Sequence, residues 1–192
     1  MTNVAFATID EYNDLDTVNR YHELVDEKGM NPVEALAAVQ AKSSDNARPP
    51  MQWSADPQAG FTRGTPWLKV NPNYSSINVE QALADGNSIF YHYQKLIQLR
   101  KNSPALVYGA YHLIDTGKAP IFAYTRTLDN ERRLVVLNLG PEPAVFEMPD
   151  GLLNSSQGSG GGELLIGNYP IHPEEDPRRL NLRLYEARVY SA

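Results

Sequence analysis

Ile89-Phe90-Tyr91-His92-Tyr93-Gln94-Lys95-Leu96-Ile97-Gln98-Leu99-Arg100-Lys101-Asn102-Ser103-Pro104 marks the point where the chain changes character. Ile89, Phe90, Tyr93, Leu96 and Ile97 recur three or four residues apart, the spacing of one helical face. Asn87 or Ser88 supplies an N-cap. Arg100 and Lys101 suit the far end, where cations meet exposed carbonyls. Asn102-Ser103-Pro104 stops the helix, because the residue before a proline is pushed out of the helical region.

Downstream of Pro104 the periodicity becomes that of strands. Leu106 to Ile114, Ile121 to Thr127 and Leu134 to Leu139 are rich in aromatic and β-branched residues. Asp129-Asn130 is a hairpin tip between the second and third. Leu134-Val135-Val136-Leu137 is apolar on both faces and predicts a central strand. Ala144 to Met148, Leu164 to Ile166 and Leu180 to Val189 follow. In the last of these Leu180, Leu182 and Leu184 alternate, then Ala187 and Val189 take over with opposite parity. A shift of one residue turns every side chain to the other face, so a bend or bulge is required near Tyr185-Glu186. Six or seven antiparallel strands of this length predict a sandwich. Asn154 to Gly162 reads as a Ser/Gly-rich hairpin tip, and Pro170 to Pro177 as a solvated acidic loop.

Upstream of Ile89 the chain reads helical, then irregular. Tyr12, Leu15, Val18, Tyr21, Leu24 and Val25 predict an amphipathic helix over Asp10 to Lys28, stopped by Gly29. Asn31 caps a second helix with Pro32 in its first turn, where the missing N–H costs nothing. From Ser43 to Ser76 five prolines break the pattern, and both tryptophans, Trp53 and Trp67, fall here. So long an irregular stretch inside a domain is uncommon and often functional. Asn78 then opens a short helix, Val79 to Ala84. The fold class expected is α+β, helices first and sandwich second.

Composition removes several classes of function. The 192 residues are 42% hydrophobic and 21% charged, ordinary globular usage. A chain this long buries roughly 70% of its extended surface. The formal net charge is −6 with no Lys/Arg-dense patch, so no nucleic-acid partner is expected. There is no cysteine, which excludes disulfides, thiol nucleophiles and Cys-ligated zinc. No apolar run approaches the ~18 residues of a membrane span, and residues 1–10 lack a signal-peptide pattern. No membrane partner and a cytoplasmic location are expected.

Little chemistry stands out. The glycines at 158–162 lack the Lys-Ser/Thr that completes a phosphate loop. His22, His92, His112 and His172 have no metal spacing, so neither metal nor cofactor is expected. Glu11, Asp14 and Asp16 read as a solvated helix face. One segment is different: Ser43-Ser44-Asp45-Asn46-Ala47-Arg48-Pro49-Pro50-Met51-Gln52-Trp53. It sets an arginine between short polar residues and a rigid proline pair, close to aromatics. Such an arginine forks onto hydroxyls or a carboxylate while the aromatics stack on a sugar face. Equally, it pins the loop through carbonyls or a carboxylate while both tryptophans belong to the core.

Residues 43–53 resemble the Ser-Arg-Asp-Asn-Ala-Arg-Thr-Pro-Met-Gln-Trp motif of the oligo-1,6-glucosidase branch of the α-amylase superfamily, glycoside hydrolase family 13. The resemblance runs on through Ala59-Gly60-Phe61-Thr62, Val70-Asn71-Pro72-Asn73-Tyr74, Ile77-Asn78-Val79-Glu80-Gln81-Ala82 and Lys95-Leu96-Ile97-Gln98-Leu99-Arg100-Lys101. Val107-Tyr108-Gly109 and Phe122-Ala123-Tyr124-Thr125-Arg126 extend it. Sucrose isomerases and trehalose-6-phosphate hydrolases share these blocks. The departures are Ser44, where the family has Arg, and Pro49, where it has Thr or Ser.

The resemblance implies a retaining α-glucosidase acting on short, α-1,6-linked oligosaccharides. Its fold is a (β/α)8 barrel followed by an antiparallel sandwich. Met1-Thr2-Asn3 resembles the end of the family's eighth-strand run. Residues 1–103 are therefore expected to be the loop and helices after that strand, a remnant of the barrel. Residues 104–192 are expected to be the sandwich. The family's nucleophile, acid and stabilising-Asp blocks are absent, so no catalytic residue is assigned and the chain alone is expected to be inactive. Only Arg48 carries over, as the arginine that reaches the glucose of the −1 subsite. The partners implied are an α-linked gluco-oligosaccharide in the intact enzyme and, for the apolar helix faces, missing barrel segments or a second copy. A standalone carbohydrate-binding or interaction module is the rival. Against it, no second cluster of exposed aromatics is expected on the sandwich.

Overall fold

The computed structural model describes residues 2–4, 6–117, 120–152, 162–171, 175–176 and 178–192. Met1, the Ser/Gly-rich stretch 154–161, His172 and Glu174 lie outside them. The chain forms two compact units that divide between Phe90 and Tyr91.

In the first unit, α1 (Leu15–His22) runs into a wider π-helical turn (Glu23–Glu27), and Gly29, at φ +65°, ends it. The helix expected from Asp10 therefore starts later. Asn13 and Asp14 give their backbone N–H groups to the Asp45 carboxylate, which holds Asp14 extended. Residues Ile9–Glu11 form a separate 3-10 turn. α2 (Pro32–Gln40) begins as expected, with Asn31 accepting from the Val33 N–H at 2.9 Å and Pro32 in the first turn. Leu24, Ala35 and Val39 form one small core; Val4, Phe6, Tyr12 and Leu68 form another, with Phe6 and Tyr12 edge to face. Residues 43–76 are irregular, as expected, apart from 3-10 turns at Ser44–Ala47, Pro57–Gly60 and Pro72–Ser75. α3 (Val79–Ala84) is capped by Asn78, which accepts from Gln81 N–H at 2.8 Å.

In the second unit, α4 (Ile89–Asn102) leads to α5 (Pro104–Tyr108) and then to seven strands. They are β1 (Ala110–Ile114), β2 (Ile121–Leu128), β3 (Glu131–Asn138), β4 (Ala144–Glu147), β5 (Leu164–Gly167), β6 (Arg179–Leu182) and β7 (Ala187–Ser191). One sheet has the order β1-β2-β3-β7-β5 and the other pairs β4 with β6, all antiparallel. Ile121, Ala123, Leu134, Val136 and Tyr190 of the large sheet pack on Phe146, Leu180 and Leu182 of the small one. This is the sandwich expected. β3 is central and buried at Leu134, Val135 and Val136. Asp129 turns the β2–β3 hairpin at φ +50°.

Three expectations need correction. Leu106 to Tyr108 is helical, although its composition suits a strand. Pro104 stands in the first turn of α5, and the Glu131 carboxylate takes the Ala105 N–H and the Ser103 hydroxyl. An anion at a helix start is favoured. Burial opposes ionisation of Glu131, but Ser103, the Ala105 N–H and Arg133 outweigh it and pull its pKa below the usual value. The segment 180–189 is two strands in different sheets. Tyr185, at φ +51°, turns the chain from β6 to β7, which meets the parity change by crossing the sandwich. Finally, the loop 170–177 is not simply solvated. Glu175 pairs with the buried Arg188, which also bonds Glu186 at 2.7 Å, because a buried guanidinium requires counter-charge.

From Tyr91 on, α4 falls in the second unit with the strands. Its His92, Leu96 and Leu99 lie over Tyr124, Val135 and Val189 around a cavity of about 370 Å³. The stripe read from the spacing shares only Leu96 with that face. Ile89 is 87% exposed and Tyr93 64%.

Gly109 joins α5 to β1. A Cβ there would stand 2.5 Å from the Ala105 carbonyl oxygen and 3.0 Å from the Thr127 backbone. Gly109→Ala is expected to cost about 1–3 kcal/mol, the usual range for forced overpacking. Chemical denaturation followed by far-UV circular dichroism checks it; an unchanged midpoint would refute the close approach.

Candidate functional site

The segment singled out by its residues folds around a buried carboxylate. Ser43 starts the 3-10 turn, its hydroxyl accepting from the Asp45 N–H at 3.3 Å, and the Arg48 N–H closes on the Asp45 carbonyl at 3.1 Å. Asp45 is 1% exposed. Its Oδ2 accepts from the N–H groups of Asn13 at 2.7 Å and Asp14 at 2.6 Å, tying two distant pieces of chain together. Asn46 donates its amide to the Gln40 carbonyl, and its own carbonyl accepts from Val4 N–H. Fully buried Gln52 donates to Asn73 and to the Ile77 carbonyl. The carbonyls of Gln52 and Trp53 receive the Val79 and Glu80 N–H groups, the free donors at the start of α3.

Arg48 stands apart from this set. Its side chain is 57% exposed and makes no hydrogen bond to a carbonyl among the described residues. The guanidinium lies 3.9 Å from Asp45 Oδ1, outside hydrogen-bonding distance. It lines a cleft of about 680 Å³ with Asp14, Asp16, Arg20, Lys42 and Ser44. Trp53 and Trp67 are both exposed, so neither serves as core.

The carboxylates of this cleft do not form an acid–nucleophile pair. Asp14 accepts from the Thr17 hydroxyl at 2.9 Å and from the Ser44 hydroxyl and N–H at 2.9 and 3.1 Å. The Thr17 bond, then those of Ser44, hold its pKa below the ordinary 3.8. Such a carboxylate, with three donors on Oδ2, is held in its ionised form, the reverse of what a general acid needs. Asp14 is thus a clasp, not part of a solvated face; the hydroxyl of Ser44, one of the family departures, closes it. No signal in the spacing of residues 11–16 pointed to this, because the partner that closes the clasp, Ser44, lies thirty residues away.

Nothing else among the described residues supplies chemistry. No group of three or more His, Asp or Glu is placed to hold a metal ion. His22 pairs with Asp26 on the surface at 3.1 Å. In the cavity under α4, Arg100 and Arg126 are spent on the carbonyls of Ala105, Leu106 and Val107 at the end of α5. The sandwich does carry an aromatic cluster, contrary to expectation. Tyr111 and Phe122 flank Tyr124 with ring centroids 5.1 and 5.7 Å away, because neighbouring strands bring these positions to one face of the sheet. The rings are tilted by 38° and 56° and share no plane.

The comparisons with known proteins fall on this architecture. The family model of the alpha amylase catalytic domain matches residues 1–109. The chain belongs to the alpha-amylase family. It is 47% identical over 190 residues to the oligo-1,6-glucosidase of Parageobacillus thermoglucosidasius, covering 99% of this chain and 33% of that protein. It is 44% identical to the trehalose-6-phosphate hydrolase of Bacillus subtilis over 190 residues, again 99% and 33%. Among solved structures, trehalulose synthase from Pseudomonas mesoacidophila MX-45 superposes with a TM-score of 0.88 at 37% identity, covering 100% of this chain and 33% of that one. The chain therefore spans about a third of the length of the relatives it matches. No helix among the described residues is long and apolar enough to cross a membrane.

The Asp14 clasp has a pH signature. Its folded-state pKa lies below 3.8, so its contribution is present above that value and is lost as pH falls through the folded value. The unfolding midpoint of the first unit is expected to fall on acidification below about pH 4, and to fall less in Asp14→Asn. Urea titrations at stepped pH measure this; equal acid sensitivity in the two chains would exclude the clasp.

Proposed function

We propose that this chain is the C-terminal part of a retaining α-glucosidase hydrolysing α-1,6 bonds of short gluco-oligosaccharides, and that Arg48 binds the sugar. In this reading residues 1–103 complete the catalytic barrel and 104–192 are the appended sandwich. The observation that carries it is the exposed guanidinium of Arg48, which lines a cleft and makes no hydrogen bond among the described residues. An arginine spent on pinning the loop would be bonded to carbonyls, as Arg100 and Arg126 are. Five N–H donors in a rigid fork suit adjacent sugar hydroxyls. The names of the relatives support the substrate class: oligo-1,6-glucosidases, trehalose-6-phosphate hydrolases and a trehalulose synthase.

Retaining hydrolysis takes two carboxylates about 5–5.5 Å apart, and the family's blocks for them are absent from the chain. Binding contacts that act without a nucleophile and an acid stabilise no transition state. The chain alone is inactive in this reading, and activity requires a polypeptide carrying the rest of the barrel. The exposed side chains of Ile89, Tyr93 and Ile97 fit that requirement, since contiguous apolar surface marks an interface. The chemistry needs no cofactor, nucleic acid or membrane. The rival reading as a standalone sugar-binding module gains the Tyr111–Tyr124–Phe122 cluster but lacks the flat platform that stacking on a pyranose needs.

The chain is expected to release no p-nitrophenol from p-nitrophenyl α-glucoside. Isomaltose titrated to millimolar concentration is expected to change Trp53 and Trp67 fluorescence. Arg48→Ala is expected to weaken that binding about tenfold or more, as loss of a charge-assisted hydrogen bond does. An unchanged affinity in the variant would remove Arg48 from the site, and turnover by the chain alone would overturn the account of its inactivity.

A further inference from the structure

The Asp45 carboxylate uses one oxygen and leaves the other unpaired. Oδ2 takes both backbone donors, from Asn13 and Asp14, at 2.7 and 2.6 Å. Oδ1 is buried, has no hydrogen-bond partner, and has Arg48 as the only cation within 4 Å among the described residues. If Asp45 served only to join residues 13–14 to the turn, an asparagine would suffice, since one carbonyl oxygen can accept both N–H groups. The charge would then be a pure cost, because a buried carboxylate without a counter-ion is destabilising.

The geometry points to Asp45 as the positioning residue for Arg48. This rests on the reading of Arg48 as the sugar-binding arginine and adds what holds it. Two backbone donors fix the plane of the carboxylate, so Oδ1 is a stationary negative charge. Arg48 follows three residues later, and its backbone N–H is already anchored on the Asp45 carbonyl at 3.1 Å. The arginine is thus tethered at its backbone and attracted at its tip by the same residue. At 3.9 Å the attraction restricts the guanidinium without consuming a donor, so all five N–H groups remain for hydroxyls. A side chain ordered before binding loses less entropy when the sugar arrives.

The test uses the whole chain and nitrogen-15 NMR of the arginine Nε–Hε groups. In the unliganded protein the Arg48 Nε–Hε is expected to be as ordered as the backbone, and exposed Arg63 to be mobile. In Asp45→Asn the Arg48 signal is expected to become as mobile as that of Arg63, while the Asn13 and Asp14 amides keep their protection. Mobility of Arg48 equal to that of Arg63 in the wild-type chain overturns the proposal, and this reading needs no variant to fold. A double-mutant cycle with isomaltose gives the functional arm. Asp45→Asn is expected to weaken binding about tenfold alone and to add nothing in an Arg48→Gln background. An equal loss in both backgrounds assigns Asp45 a purely structural role. If Arg48→Gln leaves isomaltose binding intact, the sugar-site reading fails, while the order of the unliganded Arg48 still decides whether Asp45 positions it.

Discussion

Every buried backbone N–H and C=O must find a partner, and in residues 41–78 helices and strands provide few. Short polar side chains provide them instead. Asp45 satisfies Asn13 and Asp14, and Asn71 reaches the Thr2 carbonyl and hydroxyl at 3.0 Å. Asn46 and Gln52 donate to carbonyls of other segments, and Asn78 caps α3. Remove that web and the first unit has two small cores and a loop. This is why the 43–53 segment is so distinctive of its family. Asp45, Asn46 and Gln52 each bond other segments of the chain, whereas the Arg48 side chain is exposed.

The same distinction governs what could be read before the fold was seen. The helix caps at Asn31 and Asn78 and the central strand at Leu134–Leu137 were legible, because capping and periodicity are local. The parity change after Leu184 correctly required a break. Only the topology shows that the chain changes sheets there, at the left-handed Tyr185. Leu106-Val107-Tyr108 misled, since β-branched and aromatic composition is a weak preference that context overrides. The overriding context was Glu131, a residue across the fold. Glu175 misled in the same way: acidic neighbours suggested solvent, whereas a buried Arg188 drew it in.

α4 shows a different limit. Its apolar residues occupy more of the circumference than one interface needs. Ile89, Tyr93 and Ile97 of the visible stripe are exposed, and the face packed on the sheet is His92, Leu96 and Leu99. Periodicity identifies that a helix has an apolar face; it does not rank two such faces. α4 carries apolar residues on two adjoining faces, with Gln94, Lys95, Gln98 and Lys101 on the side opposite. The sheet supplies one side here. In a protein three times as long, as the relatives are, further chain is available for the other.

Arg48 joins these arguments. The cleft around it is framed by residues already committed elsewhere: Asp14 to Thr17 and Ser44, Arg20 to Glu23. Committed groups are rigid and cannot reorganise toward a ligand. Arg48, whose base is fixed by the turn and whose tip lies 3.9 Å from Asp45 Oδ1, shares the cleft with the cation of Lys42. Ser44 is the departure from the family at its position. Its hydroxyl and N–H close on Asp14, so the loop is held there by hydrogen bonds. Restraint of the loop thus falls to the buried Asp45 and Gln52 of the motif, and Arg48 is its exposed cation.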